Sequence, residues 1–119
     1  MPHEFAPGDD LVFQLESGLG VLRILAVTGE GSETVWHLLA YDEFFPSVEA
    51  AEAALAKPGP LKVRNAHMAL TDRAFERTPA ARLGNRPLTE EELCAYHEWE
   101  KSESRKVSDR SALLLLGIR

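Results

Sequence analysis

Five titratable side chains form the constellation most able to do chemistry: His37, Asp42, Glu43, His67 and Asp72. Two imidazoles beside a carboxylate would suit a metal ion or an acid–base pair. The condition is that the segments carrying His37 and His67 lie side by side. The spacings match no metal signature, and a histidine in an apolar strand is more often a satisfied core or surface residue. A second pair, Cys94 and His97, is three residues apart, the spacing of one helix face. A thiolate there would need an oxyanion hole and an orienting group that the sequence does not supply, so Cys94 is expected to be a buried or half-buried structural thiol. His97-Glu98-Trp99-Glu100-Lys101 opens like a zinc-protease motif, but Lys101 stands at the second ligand position, where a cation repels a metal. Gly18-Leu19-Gly20 and Gly29-Glu30-Gly31 lack the Lys-Ser or Lys-Thr of a phosphate loop.

The elements that must position these groups begin with the stretch from Gly8 to Tyr41. Three runs rich in Leu, Val, Ile, Phe, Trp and Tyr are separated by glycine-containing loops, which reads as a three-stranded antiparallel meander. In the first run, Leu11, Phe13 and Leu15 share one face, and Val12, Gln14 and Glu16 the other, turned toward water. The second run is apolar on both faces except for Arg23, as in a central strand. Ser47 caps an alanine-rich helix over Val48 to Lys57 that lies against the sheet edge and stops at Pro58-Gly59-Pro60. Leu61 to Leu70 predicts a fourth strand with an irregularity at Asn65, followed by a turn and a single helical turn through Phe75. Glu76 to Leu83 predicts a fifth strand that Pro79 confines to an edge. Thr89 and Glu92 form a capping box for a helix from Glu90 to about Lys101, with Leu93, Tyr96, His97 and Glu100 on one stripe. Residues 111–117 fit a closing strand or a last helical turn. The expectation is a single α+β domain over residues 1–119: an antiparallel meander curled into a small, partly open barrel with two flanking α-helices.

Charge adds a direction. Residues 1–56 hold ten acidic side chains against Arg23 alone, whereas residues 57–86 hold seven basic and two acidic ones. An acidic meander thus precedes a basic middle, an asymmetry that steers charged partners. The net charge of −6 argues against a general nucleic-acid binder, although Arg64, Arg73, Arg77, Arg82 and Arg86 leave a nucleic-acid-associated module as an alternative. No basic leader with an apolar core opens the chain, and the longest apolar run is too short for a membrane span. One cysteine excludes an internal disulfide and favours a reducing cytoplasm.

Gly8-Asp9-Asp10-Leu11-Val12-Phe13, Gly18-Leu19-Gly20-Val21-Leu22-Arg23-Ile24-Leu25 and Leu83-Gly84-Asn85-Arg86-Pro87-Leu88 together resemble the small β-barrel immunity proteins of bacterial polymorphic toxin systems, the family numbered twenty-six. The resemblance implies a non-enzymatic protein that binds and neutralises a toxin and uses no cofactor. The acidic first half would suit a basic toxin. On this reading Glu30, Glu33, Asp42, Glu43, Phe44 and Phe45 form the contact, with aromatic anchors rimmed by acids. One of the two phenylalanines is expected to tuck beneath the following helix. The alternative is a small metal- or acid/base-dependent enzyme around His37 and His67. Short strand edges leave a homodimer open as well.

Overall fold

A computed structural model describes residues 5–16, 18–56, 61–110 and 112–116 of the 119-residue chain. Strands β1 (Asp9–Leu15), β2 (Gly18–Thr28) and β3 (Val35–Tyr41) form the meander, followed by α1 (Val48–Ala56) and β4 (Val63–Thr71). The short helix α2 (Asp72–Glu76) leads to β5 (Ala80–Asn85), α3 (Glu90–Lys101) and the five-residue α4 (Ala112–Leu116). All pairings are antiparallel in one sheet of order β4-β3-β2-β1-β5, so the last strand returns to lie beside the first. β2 is central, and β4 and β5 remain open edges of an unclosed, curled sheet.

The curl has local causes. Pairing registers shift between Asp10 and Leu11, between Ile24 and Ala26, and between Leu38 and Ala40 opposite Asn65. Each irregularity raises the right-handed twist and bends its strand. Phe13 pairs with Gly20, and its ring lies so close that a Cβ at Gly20 would sit 2.5 Å from Phe13 Cζ. Glycine is required there by the approach of the ring.

The strand period of two divides the side chains between two cores. On one face, Leu11, Phe13, Leu22, Ile24, Trp36, Leu38 and Leu70 pack against Phe75 of α2 and Ala112 and Leu116 of α4. Trp36 and Phe75 stack with ring centres 4.3 Å apart. On the other, Val21, Leu25, Leu39 and Tyr41 lie beneath α1 and α3. Ala51 is fully buried in the same core as Val21 and Leu25, and α1 contacts β2, so α1 covers the face of the central strand and not the sheet edge.

Several expectations shift. β1 is buried on both sides except at Gln14, because β2 and β5 flank it and helices roof both faces. The helical turn expected through Phe75 is present as α2, with Thr71 Oγ1 accepting from Ala74 N–H, but residues 76–79 are its last residue and the turn after it and not the start of a strand. The fifth strand therefore begins at Ala80, directly after Pro79, and is an edge strand. Residues 112–116 are helical. Both expected caps are present: Ser47 Oγ accepts from Ala50 N–H at 3.1 Å, and Thr89 and Glu92 satisfy each other reciprocally. Lys57 and the Pro58-Gly59-Pro60 stop lie outside the described residues.

Candidate functional site

The acidic contact expected from the sequence is divided by the fold. Glu30 and Glu33 sit before β3, whereas Asp42, Glu43, Phe44 and Phe45 follow it, so a strand of roughly 20 Å separates the two groups. They do not form one surface. Phe45 is also withdrawn from it. Its side chain is buried against Val21, Leu39 and Tyr41, and its backbone pairs with Leu19 in both directions, at 2.7 and 2.8 Å. Alternation then turns Phe44 outward, 37% exposed, between two fixed neighbours. Asp42 is held on the other side: its N–H donates to Lys62 O at 2.7 Å, and its carboxylate accepts from Arg64 at 3.0 Å. What remains exposed is Phe44 with Val48, and with Glu43, Glu49 and Glu52 on the same loop and helix. The β1–β2 turn that carries exposed Glu16 is stitched to this loop through Leu19.

His37 and His67 do meet. His37 Nδ1 lies 2.9 Å from His67 Nε2, and His37 Nε2 lies 2.9 Å from Thr28 Oγ1. Asn65 Oδ1 accepts from the His67 backbone N–H at 3.1 Å, within the irregular part of β4. The rings of Tyr96 and Trp99 stand edge-on to His37, each with centres 4.7 Å away. Burial and the neighbouring His67 imidazole lower the His37 pKa to about 4; burial lowers that of His67 too. A single proton between the two facing nitrogens satisfies both. The carboxylates expected beside them lie elsewhere. Asp72 accepts from Trp36 Nε1 at 2.8 Å on the opposite face, and Asp42 and Glu43 lie beyond the end of β3. Among the described residues no three His, Cys, Asp or Glu side chains group as metal ligands.

Cys94 is exposed, contrary to expectation, because Leu93, Tyr96 and Trp99 form the inward stripe of α3. His97 likewise faces outward and bonds Glu100 at 3.0 Å, not Cys94. The arginines are tied up separately. Arg64 serves Asp42 and the Leu116 carbonyl, Arg73 and Arg77 both bond Asp109, and Arg86 grips Asp10. Arg82 is without an acidic partner among the described residues.

Two features were not anticipated. The first is a buried ionic cluster around Arg23, which is fully shielded from solvent. Its Nη1 donates to Gly8 O at 2.9 Å and Asp10 Oδ1 at 3.3 Å. Its Nη2 donates to Arg86 O at 3.1 Å and Pro87 O at 2.9 Å, and its Nε to Glu92 Oε2 at 2.5 Å. Partial burial opposes ionisation of Glu92, but the Arg23 guanidinium and the Thr89 donors outweigh it and hold the carboxyl below its usual range. Arg86 adds a second guanidinium to Asp10, at 2.6 and 3.0 Å. An arginine alone in a central apolar strand was the available signal, since such a charge must be paired when buried.

The second is a cleft of about 600 Å³ between α1 and α3 over the sheet. Leu39, Leu55, Leu61 and Val63 give it an apolar floor and flank, and Tyr41 and Arg86 line it as well. Neither histidine of the pair lines it. Compared with known proteins, the chain matches no family model, no curated protein and no solved structure. No helix of the described residues is long and apolar enough to cross a membrane.

Proposed function

We propose that this chain is a non-enzymatic protein-binding module, immunity-like in that it captures a basic partner such as a toxin. The observation that carries the reading is the fixed outward presentation of Phe44. A bond pair at Leu19–Phe45 and the anchored Asp42 hold the loop from both sides, so the aromatic ring projects from a prearranged backbone into an acidic surround. A pre-ordered anchor loses little conformational freedom on binding. Exposed carboxylates around it accelerate encounter with a basic surface. The contact is thereby narrowed from the six residues expected to Glu43 and Phe44, with Val48, Glu49 and Glu52 of α1 added.

Affinity capture from the chain's own cells tests this, with wild type beside Phe44→Ala and Glu43→Lys/Glu49→Lys. The expected result is a basic protein retained by the wild type and released by salt. Its association should slow about tenfold for the charge-reversed variant. Equal retention by all three proteins overturns the contact.

A second reading, acid–base or metal chemistry, is favoured by the 2.9 Å His37–His67 contact alone. Metal analysis of purified protein, with His37→Ala and His67→Ala alongside, decides it: bound metal lost in both variants supports that reading, and a metal-free wild type removes the metal site.

A further inference from the structure

We propose that the cleft between α1 and α3 binds a small amphipathic carboxylate, with its apolar body on Leu39, Leu55, Leu61 and Val63 and its head on Arg86 and Tyr41. The cleft volume of about 600 Å³ suits a small molecule, since ligand pockets commonly run from about 300 to 1,000 Å³. Its polar end supplies donors. Asp10 occupies the Nε and Nη2 edge of Arg86, and among the described residues Arg86 Nη1 has no partner. The Tyr41 oxygen accepts from Arg86 Nη2 at 3.3 Å, and among the described residues its phenolic proton has no acceptor. Tyr41 is 8% exposed and lines the cleft. A carboxylate bridging Arg86 Nη1 and the Tyr41 O–H would satisfy both, and a guanidinium edge matches carboxylate geometry.

The acids of the cleft do not reverse this preference. Glu92 already accepts from Arg23 and Thr89 with both oxygens. Glu91 and Glu98 are exposed on the α3 wall, where solvent weakens their action at a distance. A carboxylate head would bond Arg86 and Tyr41 directly, whereas Glu91 and Glu98 act on it through solvent. The inference is independent of the Phe44 surface.

Calorimetric titration of the intact chain with decanoate, decanol and decyltrimethylammonium tests the head group without altering the protein. Decanoate should bind one to one and about tenfold or more tighter than the other two. Ala66→Trp, an exposed position on the cleft lining, should abolish binding while the melting temperature holds. Arg86→Gln should erase the preference among head groups, and Phe44→Ala should leave decanoate affinity unchanged. Failure of decanoate to bind, equal affinity for all three probes, tighter binding of the ammonium, or binding that survives Ala66→Trp overturns the proposal. Should Arg86→Gln not fold, the three-probe series on the unaltered chain still decides.

Discussion

The Arg23 cluster and the His37–His67 pair are both buried polar sites beneath α3, yet they answer the cost of burial in opposite ways. Two carboxylates and three backbone carbonyls surround the buried Arg23 guanidinium and compensate its charge. Among the described residues the histidines have no comparable counter-charge in contact, and they answer burial by remaining neutral, one ring nitrogen donating to the other. An ion keeps its charge in a dry interior when the protein completes its shell, and discards it when the protein does not.

The largest expected effect comes from deleting the central cation. Arg23→Met should destabilise the fold by about 3–5 kcal/mol, because it strands buried carboxylate and carbonyl acceptors. Urea denaturation at neutral pH measures it, and a loss under about 1 kcal/mol would mean the cluster closes on itself through Arg86.

Next comes the acid limb. His37 titrates near 6.5 when unfolded and at about 4 when folded, so the unfolded chain binds more protons between those values. Stability from this group is complete above pH 6.5 and is lost as pH falls toward 4, to an extent of about 3 kcal/mol. His37→Gln should flatten that part of the stability–pH curve. A curve that keeps its slope would place the acid sensitivity in other groups and break the contrast.

Arg86→Met should cost less than Arg23→Met, about 1–2 kcal/mol, because Arg86 reaches solvent and Asp10 retains Arg23. Comparing the two denaturation midpoints sharpens the difference between a sealed guanidinium and a rim one. The smallest effect is Thr89→Ala. It removes the α3 cap and one support of Glu92, and should lower stability by about 1 kcal/mol.

What could be read from the sequence follows from how far apart the responsible residues lie. The meander, the central place of β2 and both helix caps depend on neighbours within a few positions, and the structure has them. The site depends on residues brought together across the chain. The His37–His67 approach needed the β3–β4 register, in which His37 pairs with Ala69 and His67 stands one diagonal step away. The partners of Arg23 needed β5 beside β1 and α3 over β2, which no local spacing encodes. Phe44 and Phe45 were legible as one in and one out, but not which: the Leu19 bridge decides it. Cys94 was misplaced because a free thiol is commonly core, whereas the inward stripe of α3 runs through Leu93, Tyr96 and Trp99 and leaves it exposed.

The separation between Arg23 and Glu92, 69 positions along the chain, carries a kinetic consequence. A ribosome completes the meander long before it delivers the second carboxylate, so the nascent hairpin carries a solvated guanidinium it cannot yet enclose. Only when α3 swings over does this site become watertight. Maturation should thus be cooperative and late, with any truncation ahead of residue 92 leaving an open, protease-sensitive shell.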